Sequence, residues 1–260
     1  MSRHSRFLKY CASAAAALII VLSGCSTSPL SGGRLDVDAV VNAIVIDDVS
    51  YLRNAVRSGA ITVNQQIPAA AYPAGTPLLT IAARAASLGT MRFLIESGAD
   101  VNARTPAGET PLMLAAFFFH EGNDRMSMHF EQHEKAVRML VAAGARLEND
   151  PASYTPLAYA AYRGNERVVR YLIERGARVD ADAQNGITDI NTPLMMAAIQ
   201  GHQHIARSLL LAGADARVRV RGGHTASEFA VKYNHPNLYR VLRCAEAATT
   251  RTQIQQCEAL

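Results

Sequence analysis

The sequence lacks the usual marks of catalysis. No Gly-x-Ser-x-Gly elbow and no phosphate-binding loop occurs, which removes common signatures of acyl and phosphoryl transfer. His133-Glu134 opens like a zinc-protease motif, but position 137 is Val where that chemistry needs a second histidine. Cysteine is scarce at four residues, and no Cys-x-x-Cys is present. The apolar run Ala12 to Leu22 is too short to cross a bilayer, which takes about twenty residues. Net charge is nearly absent once the leader is set aside. The whole chain carries 26 basic and 22 acidic side chains, but Arg3, Arg6 and Lys9 lie in a leader without acids, so the remainder is near +1. The basic pI therefore gives no reason to expect nucleic acid as a partner. The chain reads as a non-enzyme with no cofactor.

What is present is repetition. Thr155 to Ala177 reads as two short helices folded on each other. Thr155 suits the cap, Pro156 the first helical position, and Gly164-Asn165 the turn. Leu157, Ala160 and Ala161 face one way from the first helix. Val168, Val169, Tyr171, Leu172 and Ile173 give the second its buried side, and Gly176 stops it. Such a hairpin needs a neighbour on each side. Thr-Pro-Leu recurs at Thr76, Thr110, Thr155 and Thr192, and Gly-Ala at Gly59, Gly98, Gly144, Gly176 and Gly213. The spacings of 21 and 12 between these marks add to 33. TPLMLAA (110–116), TPLAYAA (155–161), TPLMMAA (192–198) and GADVNA (98–103) resemble ankyrin repeats, whose period is the same. The resemblance covers roughly residues 37–247. It implies an all-α solenoid of about six helix-turn-helix repeats with short hairpin fingers, the first and last atypical, and a function of protein binding on the concave side. The chain departs from the family pattern. The histidine usual after Thr-Pro-Leu is replaced by Leu79, Met113, Ala158 and Met195, a change expected to remove a polar link between repeats and leave more of the stability to apolar packing. The finger at 183–190 is also extended, and the Thr110–Gly144 repeat carries 13 extra residues.

The chain start resembles a bacterial lipoprotein. The basic head and apolar run form a signal peptide over residues 1–24, ending in Leu22-Ser23-Gly24-Cys25. By that resemblance Cys25 is lipidated after cleavage; an ordinary secretory cleavage is the alternative. A triacylated cysteine meets the need for more than one chain in stable anchoring. Residues 25–36 then form a flexible tether. Ser26, where an aspartate would retain a lipoprotein in the inner membrane, favours the periplasmic face of the outer membrane. Residues 248–260 form a C-terminal tail. With Cys11 lost and Cys25 modified, Cys244 and Cys257 are left as a disulfide pair in an oxidising compartment, or as two free thiols.

The expected function is a monomeric, membrane-anchored module that binds a protein. A stress enzyme, a secretion component and a toxin are the partner classes considered. Arg217, Arg219 and Arg221 alternate along one finger and suit an acidic partner or a solvated arm. The insertion FFFHEGNDRMSMHFEQHEK (117–135) is expected to lengthen both helices of its repeat, with Phe118, Phe119, Arg125 and Phe130 as partner contacts. His129 and His133 lie four apart on one helical face with Met126 on the same side, and His120 nearby. This is a ligand set suited to copper or zinc and supports an alternative role in metal or haem handling. A plain helical extension with packed phenylalanines accounts for the same residues.

Overall fold

The Thr-Pro turns start the inner helices. The computed structural model describes residues 30–31, 34–67, 72, 74–117, 126–148, 154–180, 187–188, 191–221 and 223–257. Six helix hairpins follow one another: α1 (Val37–Val45) with α2 (Val49–Arg57), α3 (Leu78–Ala85) with α4 (Leu88–Glu96), α5 (Pro111–Ala116) with α6 (Met126–Ala142), α7 (Pro156–Arg163) with α8 (Glu166–Glu174), α9 (Pro193–Gln200) with α10 (Gln203–Leu211), and α11 (Ala226–Lys232) with α12 (Pro236–Ala247). A last helix, α13 (Arg251–Cys257), folds back on α12 and α10. The hydroxyls of Thr110, Thr155, Thr192 and Thr225 accept from the backbone N–H three residues on, capping α5, α7, α9 and α11. Thr76 differs: Thr76–Pro77 forms a strand, and α3 begins at Leu78 behind Pro77.

Short strands mark the fingers. β3 (Gln66–Ile67) pairs antiparallel with β4 (Thr76–Pro77), and β5 (Ile187–Thr188) runs parallel to β6 (Arg219–Val220) of the next finger. Near the chain start β1 (Leu30–Ser31) pairs antiparallel with β2 (Arg34–Leu35), so the span expected as a plain tether carries a small hairpin.

α3, α5, α7 and α9 each contribute a fully buried alanine pair, Ala82-Ala83, Ala115-Ala116, Ala160-Ala161 and Ala197-Ala198, and α11 the buried Ala226 and Ala230. With nothing beyond Cβ, these helices approach more closely than the second helices, which meet through Leu52, Leu94, Leu140, Leu172 and Leu209. The stack therefore curves with α3, α5, α7, α9 and α11 on its inner side. One hydrophobic core runs unbroken from Val40 to Ala245, as expected where each unit buries its face only against neighbours.

One expectation needs correction. The enlarged repeat does not lengthen both helices. α6 has 17 residues, but α5 has six, against eight in α7 and α9. Phe117 ends α5: its backbone leaves the helical region at φ −90°, ψ 70°, while its ring packs edge-on to Tyr159 at 5.2 Å and stacks over Tyr162 at 6.3 Å. The ring belongs to the interface with the next repeat.

At two of the positions where the family's histidine is replaced, a methionine closes the cap. The sulfurs of Met113 and Met195 accept from Thr110 N–H (3.3 Å) and Thr192 N–H (3.4 Å), closing the caps. Links between repeats come from other positions. Asp47 accepts from Gly89 N–H and Thr90 N–H of α4, satisfying donors that a helix start leaves open. The Nε2 atoms of His202 and His235 lie 3.2 Å from the carbonyl oxygens of Tyr162 and Ile199.

Candidate binding surface

The fingers are tied to one another by a second set of bonds. Asn64 accepts from Asp100 N–H (2.8 Å), Asn102 from Arg146 N–H (2.8 Å), Glu148 from Arg178 N–H (2.8 Å), and Asp180 from Asp215 N–H (2.8 Å). Each acceptor sits four or five residues after the glycine of its Gly-Ala, and each donor two residues after the next one. The pattern is visible in the sequence as an Asn, Asp or Glu at that place, and the motif reading passed over it. The ladder ends at Arg217, which holds the same place in the last finger. It cannot accept, and it donates to its own repeat's Asp215 at 2.9 Å.

Asp180 is the strained member. Burial raises its pKa to about 6, against a weaker downward pull from Asp215 N–H, with the Asp215 charge adding to the rise. Its second oxygen, Oδ1, is buried and has no hydrogen-bond partner. The folded state therefore binds this proton more tightly than the unfolded chain, so stability falls as pH rises from about 4 through about 6. Asp180→Asn keeps the acceptor and removes the charge. It should stabilise the fold at neutral pH by about 1 kcal/mol, allowing for screening at a partly exposed site, with the gain vanishing near pH 4. Urea unfolding at the two pH values checks this, and an equal gain at both would exclude the carboxylate as its source.

The inner side of repeats two to four carries the densest cluster of aromatic and charged groups described. The Arg84 guanidinium lies 5.9 Å from the Tyr72 ring centre, and that of Arg163 lies 5.1 Å from Phe117. Glu109 accepts from Tyr159 Oη at 3.3 Å and from Thr105 Oγ1 at 3.4 Å. Burial pushes its carboxyl above the usual range, against opposing pulls from Arg84 and from those hydrogen bonds. Burial also raises Tyr72 and Tyr154, and Tyr154 meets Tyr159 edge-on at 6.2 Å. Phe117 and Tyr159 are buried and back this surface, while the half-buried Tyr72, Tyr154, Arg84 and Arg163 reach it, a composition suited to holding a protein surface.

The residues proposed from the sequence fall in several places. Cys25, Phe118, Phe119, His120 and Arg125 lie outside the described residues. Met126, His129 and Phe130 lie in α6, but their side chains are outside what is described. His133 turns inward: it is 5% exposed, and its Nδ1 lies 2.9 Å from the Ala115 carbonyl oxygen. At this residue the face read as a ligand face is the core face of α6, and one ring nitrogen is already engaged. Among the described residues no group of three or more His, Cys, Asp or Glu is placed to hold a metal ion. Arg219 meets both carboxylate oxygens of Glu228 at 3.1 Å. Arg217 on Asp215 is likewise matched within its own chain, and Arg221 is exposed at the end of the same finger. Cys244 and Cys257 are joined by a disulfide, with their Cα atoms 5.6 Å apart. No helix among the described residues is long and apolar enough to cross a membrane.

The repeated hairpins, fingers and inter-finger ladder agree with comparison to known families. The family model described as Ankyrin repeats (3 copies) matches residues 126–185 and 178–253, and Ankyrin repeats (many copies) matches residues 79–121. The chain belongs to the ankyrin-repeat family. No match is found among curated proteins. Ankyrin arrays are protein–protein interaction modules and are generally not enzymes. The inner surface of this array is accordingly its candidate protein-binding site.

Proposed function

We propose that this ankyrin protein is a lipid-anchored interaction module of the bacterial cell envelope. It sits at the periplasmic face of the outer membrane and takes a partner protein on the inner side of its array. The observation that carries the binding reading is the half-buried cluster of Tyr72, Arg84, Glu109 and Tyr154 across repeats two to four, backed by the buried Tyr159. The lipobox ending at Cys25 supports the anchor. The Cys244–Cys257 bond supports export, since structural disulfides persist in oxidising compartments. A stress enzyme, a secretion component and a delivered toxin are all partners that such a surface could serve.

One bait tests both halves. The tagged full-length chain should incorporate labelled palmitate and pellet with membranes, and Cys25→Ser should lose both. Crosslinked capture from those membranes should return a defined protein with the wild type and lose it with Tyr72→Ala/Arg84→Ala. Palmitate uptake by the Cys25→Ser chain would refute the anchor. Undiminished capture by the double variant would refute the inner face.

A further inference from the structure

The outer side of the array has its own regular chemistry. One arginine stands at the same place in each second helix: Arg53, Arg92, Arg138, Arg170, Arg207 and Arg240. In five of the six repeats it lies five residues after the N-cap, which is Asp48, Ser87, Asn165, His202 or His235. In the enlarged repeat His133 occupies the corresponding position before Arg138. The residues just before the first five of these arginines, Leu52, Met91, Val137, Val169 and Ala206, are buried. Arg53, Arg92, Arg138, Arg170 and Arg240 are exposed along the edge of the second helices that looks out from the stack, and Arg207 sits deeper, half-buried.

The carboxylates paired with arginines on two of these helices are recessed. Arg138 is 50% exposed over a Glu134 that is 15% exposed, and Arg243 is 59% exposed over a Glu246 at 10%. Arg170 stands beside a more exposed Glu166. On α6 and α12 the guanidinium therefore lies outside the carboxylate it meets, while Glu96, Glu131 and Glu174 are exposed on the same side. Arg53 and Arg138 also lean over the rings of Phe93 (5.8 Å) and Tyr171 (4.2 Å) of the following repeat, which holds them in register. The exposed large apolar residues described, Val45, Ile46, Val231 and Tyr233, belong to α1, α11 and the turns that follow them, not to this row.

We propose that this outer arginine row rests on the anionic phosphates of phospholipid headgroups, so that the inner surface faces away from the membrane toward a soluble partner. The inference rests on the lipid-anchor reading. The guanidinium fork matches phosphate geometry. The stretch from Cys25 to Val37 reaches at most about 40 Å when extended, so an anchored array stays at high effective concentration over the lipid surface. Each contact then needs to contribute only the modest attraction of an arginine near an anionic leaflet. A charged, weakly apolar face suits headgroups rather than the acyl region.

The test uses the processed, lipidated full-length protein on vesicles. A dye is placed on the outer side at His204→Cys or on a finger at Ala107→Cys, and a headgroup-labelled lipid quenches it. On phosphatidylcholine–phosphatidylglycerol vesicles the outer dye should be quenched several-fold more than the finger dye. High salt, or pure phosphatidylcholine, should remove the difference. The triple variant Arg92→Gln/Arg170→Gln/Arg240→Gln should weaken contact by about fivefold per arginine, with circular dichroism confirming the fold. The salt series on the unaltered arginines decides the matter if that variant fails to fold. Equal quenching at the two sites overturns the proposal, as does quenching indifferent to lipid charge, or protection of the outer face by an acidic protein but not by lipid. Retention on neutral vesicles reports the acyl anchor alone, so its loss identifies failure of the anchor reading instead.

Discussion

Gly201→Ala should lower the stability of the array by about 3 kcal/mol. Gly201 ends α9 in the left-handed region at φ +75°, which costs a residue with a Cβ about 1–2 kcal/mol. The added Cβ would also lie 2.6 Å from Cε1 and Nδ1 of His235. That ring is fixed by its bond to the Ile199 carbonyl. It must leave, and it takes with it a polar link worth about 1 kcal/mol. Gly176→Ala is the matched control: its φ is +91°, and nothing lies within 4 Å of a Cβ built there. It should lose only the backbone share. The difference between the two variants in urea unfolding measures the histidine contact, and it should shrink when His235→Ala is added to Gly201→Ala. Equal losses for the two glycines would show that the ring moves aside at no cost. The same reasoning applies to Gly164, where a Cβ would meet His202 at 2.8 Å.

Reducing the Cys244–Cys257 bond should destabilise the C-terminal end by up to about 3 kcal/mol, the chain-entropy value for so short a loop. α13 has only seven residues and is too short to hold as an isolated helix. It stays in place by packing Ile254 against the core, by burying Cys257, and through the covalent tie. Reduction should therefore raise hydrogen exchange in α13 and then in α12, while α7 to α9 remain protected, since each repeat leans only on its neighbours. Intact-mass measurement should show two alkylated thiols only after reductant. Alkylation of both without reductant, or unchanged exchange in α13 after reduction, would rule out this role.

The binding surface was legible only in part. The aromatic bodies Tyr154, Tyr159 and Tyr162 lie in or beside a Thr-Pro-Leu hairpin that the sequence marks clearly. The meeting of Tyr159 and Tyr162 with Phe117 across a repeat boundary depends on α5 stopping short, and nothing in the run of three phenylalanines says where the helix ends. Arg217 and Arg219 looked like a separate basic strip. Arg217 is matched by Asp215 two residues before it in the same finger, and Arg219 by Glu228 because finger and helix fold over one another. His133 was grouped with His129 by spacing alone, and spacing does not say which face of α6 is buried.

The sequence by itself determined the unit and its repetition. Threonine and proline at a helix start, paired alanines inside it, and a glycine at its end are local requirements of capping, close approach and left-handed termination. Each can be satisfied by residues a few positions apart, so each leaves a mark readable along the chain. Tertiary structure alone decided how the units are joined. The His202 and His235 links, the Asp47 cap on α4 and the side-chain-to-backbone ladder from Asn64 to Asp215 span 30 to 44 residues. A polar side chain at such a distance has many partners open to it. Only the close packing of buried alanine faces, which sets the distance between one repeat and the next, selects among them.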